Sequence, residues 1–230
     1  LDPAVFMKLR DHFVAAAGQL DLAKFFLEEG AGLGLSGALL ELWKRVLGNA
    51  KALQKPTIDE KVAEEIVGKL IAAKNPLLYV GGGILLADAA TELREFAEQL
   101  SLPVAHTLMG KGALPDDHPL ILGMTGFWGT KFINDTCKSA DWILGLGTRF
   151  SEADCSSWEN EYTFSFPPTK LIQIDIDPSE IGRNYPVAIG AVADLKQALG
   201  VLNRVARKLA PKGVKRARLL AEMDRNRKAF

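Results

Sequence analysis

The feature that most constrains this chain is a series of short segments that are apolar on both faces, spaced by segments carrying one apolar stripe. Leu77-Leu78-Tyr79-Val80, Pro103-Val104-Ala105-His106, Trp142-Ile143-Leu144-Gly145-Leu146 and Lys170-Leu171-Ile172-Gln173-Ile174 read as strands, and Val187 to Val192 as a shorter one. A strand without a polar side must be covered above and below, which is the condition of a parallel sheet between helical layers. The intervening stripes have helical spacing: Leu93, Phe96, Ala97 and Leu100; then Phe132, Ile133, Thr136, Cys137 and Ala140; and, after Asp194, a continuous face from Leu195 to Leu209. Thr57-Ile58-Asp59-Glu60 reads as a capping box ahead of the stripe Val62, Ile66 and Leu70. The expected fold is α/β: a doubly wound, mostly parallel sheet with helices on both faces, a Rossmann-like three-layer arrangement, preceded by an N-terminal helical segment.

Residues 1–55 form that helical segment of unknown role, with Phe6, Leu9, Phe13 and Ala17, then Leu35, Leu39, Leu42 and Val46, at helical spacing. Residues 56–203 form the α/β domain, and residues 204–230 a basic helical tail or interdomain linker. At 230 residues, 48% of them hydrophobic, one main core is expected. No run approaches the roughly 20 apolar residues of a membrane span, and no basic region leads into an apolar core and cleavage site, so neither a membrane partner nor a signal peptide is expected. Cys137 and Cys155 are too few for a disulfide framework, which favours reduced cysteines and a cytoplasmic location. The net charge of +0 conceals a basic stretch from Arg204 onward that suits nucleic acid, an acidic partner or a solvated linker helix. Without an aromatic platform the linker reading is adopted and nucleic acid is set aside.

In such sheets ligands sit beyond the carboxyl ends of the strands, so the strand-to-helix loops are the candidate sites. Gly81-Gly82-Gly83 lets a phosphate or sugar approach the backbone at a helix start, or simply lets the chain turn; function is the reading adopted. In Gly147-Thr148-Arg149-Phe150, Arg149 suits either a phosphate fork or a structural ion pair. Asp175-Ile176-Asp177-Pro178 offers carboxylates for ribose hydroxyls or a helix cap. Thr107-Leu108-Met109-Gly110-Lys111-Gly112 lacks P-loop spacing. In Gly123-Met124-Thr125-Gly126-Phe127-Trp128-Gly129-Thr130 the aromatic pair either stacks on a flat ring or plugs the core, and the plug is adopted. Gly32 to Gly37 matches G-x-G-x-x-G as text but follows a helical pattern, and His12, His106 and His118 fall at no metal-ligand spacing. No metal ligands and no catalytic residues are assigned.

In order and spacing, Pro103-Val104, Thr107 to Ala113, Asp117-His118-Pro119, Gly123-Met124, Gly147 to Phe150 and Ile174 to Ile181 resemble the middle domain of acetolactate synthase and related enzymes, over roughly residues 60–202. The resemblance implies the central domain of a thiamine-diphosphate-dependent carboligase or decarboxylase acting on 2-keto acids, of a nucleotide- or FAD-binding type and non-catalytic alone. It also implies a homo-oligomer in which pyrimidine- and diphosphate-binding domains hold thiamine diphosphate and magnesium; the chain has no Gly-Asp-Gly for that metal. Carried over by motif, the ligand contacts are Gly81, Gly82, Gly83, Thr107, Leu108, Met109, Gly123, Met124, Gly147, Thr148, Arg149, Phe150, Asp175, Ile176 and Asp194, for FAD, ADP or no ligand. Flavin-binding members read Gly-Met-His-Gly-Thr and Asp-Asp-Arg where this chain has Gly123 to Thr130 and Ser151-Glu152-Ala153, so the Phe-Trp pair can fill the flavin groove. The alternative is a stand-alone FAD- or adenine-nucleotide-binding subunit; a domain that only spaces its neighbours is the third reading.

Overall fold

Strands that are apolar on both sides do find two covers. The computed structural model describes residues 55–228, and the expectations for the N-terminal helices, His12 and the Gly32 to Gly37 match lie outside them. In chain order the elements are α1 (Glu60–Ala72), β1 (Pro76–Val80), α2 (Gly83–Leu86), α3 (Ala90–Leu100), β2 (Val104–His106), β3 (Ile121–Met124), α4 (Lys131–Lys138), β4 (Trp142–Leu146), α5 (Glu152–Cys155), β5 (Lys170–Asp175), β6 (Val187–Val192), α6 (Leu195–Leu209) and α7 (Ala217–Lys228). The six strands lie in the order β3-β2-β1-β4-β5-β6, every neighbouring pair parallel. This is the doubly wound arrangement, with its reversal between β1 and β4.

The period-2 alternation of a strand divides the core in two. Leu78 and Val80 of β1, Leu144 and Leu146 of β4, and Ile172 and Ile174 of β5 meet the buried stripes of α1, α3 and α6. The alternate residues Leu77, Tyr79, Ile143 and Leu171 face Ile133 and Cys137 of α4, Cys155 of α5 and the ring cluster Phe150, Phe164, Phe166 and Tyr185. α6 packs on both α1 and α3 and runs on through Arg204 to Leu209. Both cysteines are free and buried, and burial pushes their thiols up, so neither is a ready nucleophile.

Local chemistry amends several expectations. α1 is capped by Asp59, whose carboxylate accepts from Lys61 N at 2.8 Å, rather than by the Thr57 hydroxyl. The helix expected after Gly83 is two, because the chain turns left-handed at Asp88 (φ 52°). Asp177-Pro178 opens only a 3-10 turn, Pro178–Glu180. β6 has six residues, as many as β5. β3 had no counterpart among the expected strands: it has four residues, and the register slips beside Leu122 so that Ala105 pairs with Gly123.

Beyond α6, residues 210–216 are strapped across the end of α3. Gln99 Nε2 donates to Ala210 O at 2.6 Å, Ser101 Oγ to Val214 O at 2.6 Å, and Val214 N to Gln99 O at 2.9 Å. Arg216 completes the fastening. Its Nη2 donates to Leu70 O at 2.6 Å, its Nη1 to Ala73 O at 2.8 Å and its Nε to Leu100 O at 3.3 Å. These are carbonyls of terminal helical turns that lack intrahelical partners, and one planar fork serves two helices. Other cations of the basic stretch are also engaged at home, Arg207 with Glu95 and Lys208 with Glu64.

Arg216→Met keeps the apolar stem and removes the donors. Losing several charge-assisted bonds to half-buried carbonyls should lower the unfolding free energy by about 2–4 kcal/mol, seen as a lower urea midpoint at unchanged slope. A change no larger than that of an ordinary surface substitution, about 0.5 kcal/mol, would refute the clamp.

Candidate functional site at the carboxyl lip of the sheet

The loops singled out by sequence leave one edge of the sheet in step. The parallel ladder continues one residue past the strands: Thr125 N donates to His106 O, Thr107 N to Val80 O, Gly81 N to Leu146 O, Gly147 N to Ile174 O, and Ala193 N to Asp175 O, at 2.9–3.1 Å. Gly82, Arg149 and Asp175 therefore stand on adjacent strand ends at the topological switch point, where open α/β sheets place their crevice.

Two of the three glycines after β1 are there for steric reasons. A Cβ on Gly81 would lie 2.1 Å from Gly147 O, and one on Gly83 would lie 2.7 Å from Gly147 Cα. Gly147 itself is left-handed (φ 57°), so the loops of β1 and β4 touch backbone to backbone. Gly82 is different: the nearest neighbour of an added Cβ is Met109 Cβ at 3.1 Å. The amides of Gly82, Thr148 and Arg149 meet no acceptor among the described residues, which leaves donors at the lip for an anionic group.

The charged groups divide by their partners. Arg149 is exposed, with Nε 3.8 Å from Glu180 Oε1, while Arg183 Nη1 holds the same oxygen at 2.9 Å. Glu180 Oε2 is buried without a hydrogen bond among the described residues. Gln173, on β5, donates to Glu180 O at 2.8 Å and to Thr148 O at 3.3 Å, fastening the β5 loop to the β4 loop. Asp175 accepts from Asp177 N at 3.0 Å, and desolvation holds its carboxyl above the ordinary carboxylate range. Such a buried carboxylate suits a hydroxyl donor. Asp194 is occupied, capping α6 through Gln197 N at 3.1 Å and pairing with Lys55 at 2.9 Å.

Apolar side chains complete the lip. Leu85, Leu86, Leu108, Met109, Phe127, Trp128, Ile176 and Val192 are exposed large hydrophobics, and all of them follow or end strands at this edge. The core-plug reading of the Phe127-Trp128 pair is overturned: the two rings stand outside, 5.6 Å apart and edge to face. Their turn is held from behind. Asn134 accepts from Gly126 N and donates to Gly126 O, both at 2.9 Å, and a Cβ on Gly126 would meet Ala153 O at 2.1 Å. Thr125 Oγ1 donates to Asp154 O at 2.9 Å, so the turn's aim is fixed by α4 and α5.

Of the residues carried over by motif, Gly82, Leu108, Met109, Arg149 and Ile176 have an exposed or half-exposed place on the lip, beside the buried Thr107, Thr148 and Asp175. Gly81, Gly83 and Gly147 form its floor. Phe150 is left-handed (φ 49°) and its ring points into the second core, against Tyr79 at 5.1 Å and Tyr185 at 5.7 Å. Gly123 and Met124 belong to strand β3, with Ile133 beneath Gly123. The fastening residues Gln173, Glu180, Asn134 and Asp154 escaped the sequence reading. Gln173 alone had a signal there, as the one polar residue inside an apolar strand. His106 and His118 are internal: His106 Nδ1 contacts Thr107 O at 2.8 Å, and His118 accepts from Leu120 N while its Nε2 lies 3.1 Å from Glu98.

A family model described as thiamine pyrophosphate enzyme, central domain, matches residues 63–202. Among curated relatives, a glyoxylate carboligase of Escherichia coli O157:H7 is 40% identical over 160 residues, 69% of this chain and 26% of its own length. A probable acetolactate synthase large subunit of Methanocaldococcus jannaschii is 40% identical over 144 residues, 62% of this chain and 24% of its own. An acetolactate synthase large subunit of Haemophilus influenzae is 43% identical over 138 residues, 58% and 23% respectively. The chain thus spans about a quarter of the length of these relatives.

The glycines separate floor from ligand face. Gly81→Ala forces a methyl into a backbone oxygen and should cost more than about 3 kcal/mol in urea unfolding, in the range of severe overpacking. Gly82→Ala, at an ordinary helical φ of −60°, should change stability by less than about 1 kcal/mol. Equal costs at the two positions would refute the division.

Proposed function

The chain belongs to the thiamine pyrophosphate enzyme central-domain family, and we propose that it acts as the central domain of a carboligase or decarboxylase of the acetolactate synthase type, working on 2-keto acids. The observation that carries this is the extent of the family match, which runs from α1 into α6 and takes in every strand of the sheet. The relatives named above support a carboligase or synthase. Their names do not favour a stand-alone flavin- or adenine-nucleotide-binding subunit.

Thiamine diphosphate and magnesium do not suit this chain's own residues. Among the described residues no group of three His, Cys, Asp or Glu side chains is placed to hold a metal ion. The chemistry belongs to pyrimidine- and diphosphate-binding domains of the same enzyme, in a homo-oligomer of cytoplasmic location. No helix among the described residues is long and apolar enough to cross a membrane. In this division residues 56–203 are the nucleotide-type domain and the stretch from Arg204 leads toward the diphosphate-binding domain.

The lip suits FAD or ADP, with the free amides of Gly82, Thr148 and Arg149 and the Arg149 guanidinium toward a diphosphate. Asp175 suits ribose hydroxyls, and Leu108 and Met109 offer an apolar wall. FAD bound there would serve as a structural support. Phe150 contributes through its backbone, and Asp194 through the start of α6.

Two measurements test this. Thiamine diphosphate with magnesium should leave the Tm of the chain unchanged and release no carbon dioxide from pyruvate or glyoxylate; release by the chain alone would overturn the non-catalytic role. In calorimetric titration with ADP or FAD, Arg149→Ala should weaken binding about tenfold, the effect of losing about 1.4 kcal/mol, and unchanged affinity would remove the lip as the site.

A further inference from the structure

A cavity of about 690 Å³ lies at the edge opposite the lip, where the chain enters β1 and β2 through Pro76 and Pro103 and where α4 and the first turns of α7 close over it. That volume lies within the roughly 300–1,000 Å³ typical of small-molecule sites. Pro76, Leu77, Pro103 and Phe132 give it an apolar surface. Lys74, Lys215, Arg216 and Arg218 also line it, against the single carboxylate of Glu222. With Asp141, whose carboxylate accepts from Lys74 N at 2.7 Å and Asn75 N at 3.0 Å, the four cations face two carboxylates, a local excess of two positive charges in a chain whose formal net charge is +0.

This excess is not consumed by the fold. Arg216 is spent on helix carbonyls and contributes a fixed positive wall. Lys74, Lys215 and Arg218 are exposed, and their side chains form no ion pair among the described residues. This contrasts with Lys55, Lys111, Lys131, Lys196, Arg207 and Lys208, each of which has a carboxylate partner. Like charges gathered around a low-dielectric concavity repel one another and focus a positive field into it, so an entering anion relieves repulsion as well as gaining contacts.

We propose that this cavity binds a small organic polyanion, its charged groups on Lys74, Lys215 and Arg218 and its apolar body over Pro76, Leu77 and Phe132. The ligand bridges the α1–β1 turn to the start of α7, and so tightens the strap that Arg216 fastens. The inference is independent of the nucleotide reading of the lip.

Citrate and pyrophosphate serve as probes, a carboxylate and a phosphate of similar charge, titrated into the chain at low ionic strength by calorimetry and by amide hydrogen exchange. At least one should bind saturably, weaken as salt is raised and slow exchange at residues 214–220; which of the two binds distinguishes carboxylate from phosphate chemistry. Lys215→Glu with Arg218→Glu, both at exposed positions, should weaken that binding at least about tenfold, and Lys74→Glu should act in the same direction. Arg149→Ala should leave it unchanged, which separates this site from the lip. Failure of both probes to saturate, or binding that survives the charge reversals, overturns the proposal.

Discussion

The contact on which the rest of the molecule depends is the one between the loops that follow β1 and β4, where Gly81 and Gly83 lie directly against Gly147. β1 and β4 are the strands at which a doubly wound sheet changes direction, so the helices they feed depart to opposite faces and the loops would ordinarily splay. Here no side chain separates them. The consequence reaches both ways: below, the strands stay in register to their last residue, and above, the amides of Gly82, Thr148 and Arg149 are brought to one level. A crevice lip made of backbone keeps its shape without depending on rotamers, which is the kind of preorganisation an anionic ligand exploits.

Around that contact the fold is built twice, with different materials. The face toward α1, α3 and α6 is aliphatic and closed by helix-on-sheet packing. The other is covered by short helices and by rings: Phe150 lies 5.7 Å from Phe164, and Phe164 stacks on Phe166 at the same spacing. Short elements bury little area each, so this layer relies on aromatic bulk and on polar ties such as Thr125 to Asp154 and Asn134 to Gly126. The same ties aim the Phe127-Trp128 turn outward, so the rigidity of the second core is transmitted to the apolar part of the lip.

These differences explain what the sequence disclosed. β1, β4 and β5 were legible because a strand buried on both sides is apolar through its middle, with Gln173 the one interruption, and α6 because its stripe is long. β3 was hidden: it sits at the sheet's edge, it is four residues long and it contains Gly123 in a left-handed conformation beside a register slip, so it reads as loop. Glycines marked the loops that the structure gathers at one edge of the sheet, yet the glycine signal mixes two causes, since Gly81 and Gly83 answer to Gly147 while Gly82 faces outward. Phe127 and Trp128 misled because burial is the ordinary fate of large rings, and only the Asn134 clamp, eight residues along the chain from Gly126 yet bonded to it at 2.9 Å, holds them out. Gln173 stood out only as a polar residue in an apolar strand, and its fastening role, like that of Glu180, arises from contacts between the β4 and β5 loops, which no local pattern encodes.

The two edges of the sheet also differ in how charge is handled, and that difference follows from helix polarity. The lip receives helix starts and loop amides, so its backbone is already positive and few cations are needed; Arg149 stands there nearly alone and shares Glu180 with Arg183. The opposite edge receives the ends of α1 and α3, whose bare carbonyls present negative partial charge. Arg216 neutralises those carbonyls, and in doing so brings its neighbours Lys215 and Arg218 to a wall whose cations outnumber the nearby carboxylates of Glu222 and Asp141. The surplus of charge at that edge is thus a by-product of fastening the strap. Holding two helix ends at once needs a fork, and Lys215 and Arg218 beside it form no ion pair among the described residues.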